Sequence, residues 1–185
     1  MWKELTNIWR ANDLSKQAWD QSCEMLELSR NIFSQAIIYL REAHNIETLK
    51  KLKKKDKEIN EFQQQVRRKV LTHYSVQSEK VDIANGLILI NMVVDIERIG
   101  DYCKNILDLA INHPTQIISE EISEDLTTIE NEVQSRFDKT LEAINKQDTN
   151  IAKDMKKGYH ELLTGKSDEI VNSVLSGKLD FGSPS

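Results

Sequence analysis

At 185 residues, with six glycines, two prolines and 6% aromatic side chains, the chain is long enough for one good core and too sparsely punctuated for an all-β fold. Its formal charge of −5, with both signs interspersed, disfavours a nucleic-acid partner, which normally meets a basic excess. The longest apolar run, Gly86 to Val94, is broken by Asn91 and falls far short of the roughly 20 residues of a membrane span.

In chain order, Trp2, Leu5 and Trp9 form a short stripe, and Asn12-Asp13 marks a break, with Asp13 placed to cap the next helix. A first long helix is predicted over 13–45. Trp19, Cys23, Leu26, Phe33, Ile37 and Leu40 keep helical spacing along it. Ala18, Ser22, Met25, Ile32, Ala36 and Tyr39 add a second row, so the buried face is broad. A second helix is predicted over 46–74 on the stripe Leu49, Leu52, Ile59, Phe62, Val66 and Val70, and a polar loop runs from Ser75 to Lys80. The third covers 81–112 and is closed by His113-Pro114. In it Leu89, Met92, Ile96, Ile99, Cys103, Ile106 and Ala110 recur every three or four residues, which favours helix over a buried strand for the apolar run. Cys23 and Cys103 read as small buried hydrophobes in a reducing compartment. The opening residues carry no signal-peptide core, so the chain is expected to be soluble and cytoplasmic.

After Pro114 the pattern restarts. A fourth helix over 119–146 carries Ile122, Leu126, Ile129, Val133, Phe137, Leu141 and Ile144. A fifth over 149–175 carries Ile151, Met155, Leu162, Leu163, Ile170 and Val174, and is weakened by Gly158 and Gly165. Ala143-Ile-Asn-Lys-Gln147 precedes the fifth helix where Ala43-His-Asn-Ile-Glu47 precedes the second. The expectation is an all-α chain of two tandem antiparallel three-helix bundle repeats, residues 1–114 and 115–185. On that expectation the second repeat lacks its last helix in this chain, with Ser183-Pro184 read as a helix opening. Apolar surface left open by an absent sixth helix would favour a homodimer.

The chemistry-bearing stretch is Asp95-Ile-Glu-Arg-Ile-Gly-Asp101. Ile83, Leu87, Ile90 and Val94 line one side of the third helix, and the same row runs on into Glu97 and Asp101. Four residues apart, two side chains stack and can face a common ligand. Like charges stacked this way repel by roughly a few tenths of a kcal/mol unless a positive group lies between them. Arg98, a lysine from another helix or a metal ion could supply it. Asp56 and Asn60 have the same spacing on the second helix, and on antiparallel neighbours the two pairs would meet as one set of oxygen ligands. Such oxygens suit Mg, Ca, Mn or Fe, and carboxylates also bind Zn. On spacing alone, solvated charge and ion pairing stands as the ordinary alternative.

Arg98 is expected to bridge to a neighbouring helix. Gly100, at a cost of about 1 kcal/mol to the helix, indicates close approach by another backbone or a ligand. The runs Lys50–Lys57 and Arg67-Arg68-Lys69 read as solvated faces, with an acidic partner or anionic lipid as the alternative. His160-Glu-Leu-Leu-Thr164 lacks the second His of a zinc-protease helix, and Arg41-Glu-Ala-His44 has the wrong spacing for a di-iron bundle. With no phosphate loop, nucleophile triad or Cys-x-x-Cys, the chain is not expected to be an enzyme.

Val94-Asp-Ile-Glu-Arg-Ile-Gly-Asp-Tyr-Cys-Lys-Asn-Ile106, ending a long apolar helix, resembles the signature of the PhoU family, and Asp56-Lys-Glu-Ile-Asn60 fits its helix-two motif. The resemblance is specific over 46–110. It implies two tandem three-helix bundles, iron or zinc held by the acidic motifs, and a cytoplasmic regulator of phosphate uptake. The implied partners are phosphate transporter components or a sensor kinase, with peripheral membrane association through the transporter. Carried over by motif, Glu97 and Asp101 are the leading metal ligands, then Asp56 and Asn60. Asn60 stands where the family has Asp, which lowers cation affinity, and no acidic pair lies in register on the fifth helix. The rival reading is a non-catalytic helical scaffold whose acids only make ion pairs.

Overall fold

The computed structural model describes residues 13–42, 45–76, 83–112, 120–156 and 164–178. The fold is all-α, with no strand among these residues. The first helix, α1, spans Asp13–Arg41. The second rod is two helices, α2 (Ile46–Lys53) and α3 (Asp56–Val76), and α4 spans Ile83–Asn112. Beyond them lie α5 (Glu120–Lys146), α6 (Thr149–Lys156) and α7 (Lys166–Leu175). The Trp2–Trp9 stripe, His44, the 77–80 part of the loop, His113-Pro114 with the boundary at 114, Gly158 to Leu163 and Ser183-Pro184 lie outside the described residues.

The predicted 46–74 helix is broken at Lys54-Lys55. Three-residue hydrogen bonds, Lys55 N to Leu52 O at 3.0 Å and Glu58 N to Lys55 O at 3.0 Å, tighten the chain there into a turn. Neither lysine breaks helices by itself. The break lets Leu49 and Leu52 of α2, and Ile59, Val66 and Val70 of α3, all reach the core. Asn45 starts α2, its Oδ1 accepting from Glu47 N at 2.8 Å.

The bundle of α1, α3 and α4 closes around Met25, Ile59, Val66, Val70, Val93 and Leu107, all essentially fully buried. Each such side chain is worth about 1.5–3 kcal/mol in removed apolar surface. On α4 the fully buried row is Leu89, Val93, Ile96, Gly100, Cys103, Leu107 and Ala110, while Met92, Ile99 and Ile106 of the predicted stripe are only partly covered. The row that leads to the acids is not core at its start, since Ile83 and Leu87 are exposed.

Two glycines set how closely α3 and α4 approach. A Cβ on Gly86 would collide with the Tyr74 ring, and one on Gly100 would lie 2.8 Å from Ile59 Cδ1 and 3.2 Å from its Cγ2. The close approach indicated at Gly100 is therefore made by a core side chain of the facing helix. These pairings, with Lys53 against Asp108, run in opposite order along the chain and make the hairpin antiparallel. Buried Ser22 and Ser29 on α1 donate to Ala18 O (2.7 Å) and Met25 O (2.9 Å), which removes the cost of an unpaired hydroxyl.

α5 lies antiparallel along α1. Arg30 pairs with Asp138 (2.6 Å), Ser34 donates to Gln134 (2.5 Å), and the Arg41 guanidinium reaches Glu130 (2.8 Å) and Thr127 Oγ1 (2.9 Å). Between these polar rungs the Phe33 and Phe137 rings sit 5.5 Å apart, and Phe137, Leu141 and Ile144 join the same core as α1 and α4. The predicted fifth helix is described as two pieces. Neither α6 nor α7 buries a residue, and Val171 and Leu175 of α7 are exposed. Gln147 ends α5 at φ 54°, with Asp148 N bonded back to Ala143 O at 3.1 Å, a left-handed cap built without glycine.

His73 is 6% exposed and meets the Tyr74 ring edge-on at 5.2 Å. Burial lowers its pKa below the ordinary histidine value. As pH falls below about 6.5, the unfolded chain takes up this proton before the folded one, so stability is lost down through the folded-state value. Wild type is expected to lose more unfolding free energy than His73→Gln between pH 7 and pH 5.5, measured by urea titration. Equal losses would rule His73 out as the responsive group.

Candidate functional site

Three of the four predicted ligands, Asp56 and Asn60 of α3 and Asp101 of α4, meet where the two helices face each other. Asp56 opens α3, so its carboxylate sits at the positive end of that helix. Asn60, one turn on, donates from Nδ2 to the Asp56 carbonyl (3.2 Å) and lies 3.5 Å from Asp56 Oδ2. Across the hairpin, Lys104 reaches Asp56 Oδ2 at 3.2 Å and Asp101 Oδ1 at 2.9 Å. Asp56 is 15% and Lys104 31% exposed at the side chain, so the pair is partly covered beside the Ile59–Gly100 contact. Hydrogen bonds to Asp101 and then Asp56 hold the Lys104 pKa above the usual lysine range.

Asp56, Asn60 and Asp101 are thus brought to one patch, and the group between the acids is Lys104. Glu97 is half-buried on the same helix and has no hydrogen bond or ion pair among the described residues. Arg98 does not bridge to a neighbouring helix. It turns to Asp95 on its own helix at 3.4 Å, both side chains about 70% exposed, where such a pair contributes little.

An iron or zinc centre needs several anionic or imidazole donors converging on one point. Among the described residues no group of three or more His, Cys, Asp or Glu converges in that way. The two acids that do converge already share a monocation. At about 4 Å and an effective dielectric of about 20, a divalent ion beside that ammonium would be repelled by about 8 kcal/mol. As arranged, the residues fit an ammonium and do not fit a metal ion.

Other candidate chemistry is absorbed by packing. Burial pushes the Cys103 thiol up to about 12, and its S–H donates to Ser29 O at 3.7 Å. Cys23 rises to about 11 by burial and nearby acids. Neither has the lowered pKa of a reactive thiol. Of the basic run, Lys53 pairs with Asp108 of α4, while Lys50, Lys51, Lys54, Lys55 and Lys57 are exposed around the α2–α3 turn. A largely apolar groove runs between α4 and α5, with Met92, Ile99, Val133 and Phe137 in its walls. Arg136 at its edge is engaged by Glu132 (2.9 Å) and Met155 O (2.8 Å).

Sequence reasoning missed Lys104. Its spacing of three from Asp101 is visible in the sequence, but its bond to Asp56 exists only once α3 lies antiparallel on α4. No described helix is long and apolar enough to cross a membrane. Compared with known proteins, residues 23–110, which reach from α1 to the end of α4, match the model of the PhoU domain family. No curated protein and no solved structure matches the chain.

Proposed function

We propose, from the match of residues 23–110 to the model of the PhoU domain family, a regulatory family tied to phosphate, that the chain is a cytoplasmic regulator of phosphate uptake. It works by docking to a phosphate transporter component or its sensor kinase and not by catalysis. The observation that carries this reading is the family match, which spans the bundle holding Asp56, Asn60, Glu97 and Asp101. Five exposed lysines around the α2–α3 turn offer an acidic partner a complementary face. Membrane association is proposed only through such a transporter.

Affinity capture of the tagged chain from cells grown in high and in low phosphate tests the proposal. The expected result is recovery of a phosphate-transporter component or sensor kinase, with recovery changing between the two conditions. Deleting the gene is expected to change phosphate uptake. Unaltered uptake together with no such partner in either medium would remove the regulator reading and leave a helical scaffold.

A further inference from the structure

We propose that Lys104 is the resident cation of the Asp56–Asp101 patch, doing internally what a bound metal would do between these two helices. A divalent metal is held there only once that ammonium is taken away and a third acid converges on the patch. Lys104 Nζ lies within hydrogen-bond range of one carboxylate on each helix, Asp56 at 3.2 Å and Asp101 at 2.9 Å. Asn60, at the far end of the Asp56–Asn60 motif, brings a neutral amide whose Nδ2 is turned to Asp56 as a donor. The side chain's N–H side, and not a lone pair, therefore faces the nearer acid. The ammonium also arises within the hairpin, three residues after Asp101, so it is supplied whenever α3 and α4 pack.

The chemistry is that of exclusive occupancy. An ammonium offers donors to carboxylate oxygens and a metal ion offers empty orbitals to the same lone pairs, so both cannot occupy the space between Asp56 and Asp101. Lysine's single charge offsets half of the charge of the two acids, and the neighbour at position 60 is neutral. A further acid there would supply the third converging carboxylate that a divalent ion needs. Occupancy of the patch by Lys104 depends on these side chains alone and is independent of the regulatory role.

The test compares wild type, Lys104→Met, which keeps an unbranched side chain one atom shorter and without charge, and Lys104→Met/Asn60→Asp. Each is purified without chelator, assayed for iron and zinc, and melted with and without zinc or EDTA. Wild type is expected to be metal-free, with a melting temperature that neither zinc nor EDTA shifts. Lys104→Met, left with two converging acids, should shift less with zinc than the double variant, which should bind zinc about tenfold or more tightly than wild type. Lys104→Arg, which keeps the charge, should remain metal-free and should report folding if the methionine variants do not. Stoichiometric iron or zinc in wild type, lost on EDTA treatment with a fall in melting temperature, would overturn the proposal. So would a folded double variant that zinc leaves unmoved.

Discussion

Gly100→Val is expected to cost about 3 kcal/mol of unfolding free energy in urea titration. The Cβ alone would stand 2.8 Å from Ile59 Cδ1, and Ile59 is fully buried in the core. Valine adds two further carbons and a stiff χ1, while the gain in helix propensity over glycine is only about half a kcal/mol. The strain falls one turn from Asp56 and next to Asp101, so the α3–α4 hairpin should open where Lys104 bridges it. Adding Ile59→Ala should recover part of the loss, because the two positions touch and their effects cannot be additive. A Gly100→Val protein that unfolds like wild type, or a double variant no better than the sum of its parts, would show that the helices are not this close.

Phe137→Ala should cost about 3–4 kcal/mol. The ring is 6% exposed, stacks 5.5 Å from Phe33 and sits among the polar rungs that tie α5 to α1. Aromatic pairing of this kind adds about 0.5–1.5 kcal/mol to the burial term. The loss should be local. Amide exchange in α5 is expected to accelerate well before that in α3 and α4, since α6 and α7 bury nothing that would hold α5 in place. Equal acceleration across all the helices would instead mean that the ring supports the whole bundle.

Much of the architecture is readable from spacing. The α1 and α4 stripes are long enough for a period of three to four to be unambiguous, and Asp13, Ile46, Asn112 and Lys146 lie within a residue or two of predicted ends. The break at Lys54-Lys55 is not readable, since both lysines are good helix formers and packing against α4 is what bends the chain there. The four-residue interval finds the acids, and Asp56, Asn60 and Asp101 share a patch. It does not find their counter-charge, because a lysine three residues from an acid looks like any solvated pair until a second helix brings Asp56 beside it. The same ambiguity misplaces Arg98, which faces solvent and not a neighbouring helix. The apolar residues of α7 show the opposite error: periodicity marks a face that the described residues leave exposed.

The divided second rod changes how force or a binding partner would act on this bundle. α2 is latched to α4 by Lys53 and Asp108, and α3 by Lys104 and Asp56, with only the Lys54-Lys55 turn between the two latches. A protein that captures the lysines around that turn could peel away the short segment and leave the longer one seated. One continuous helix would have to let go of both anchors together.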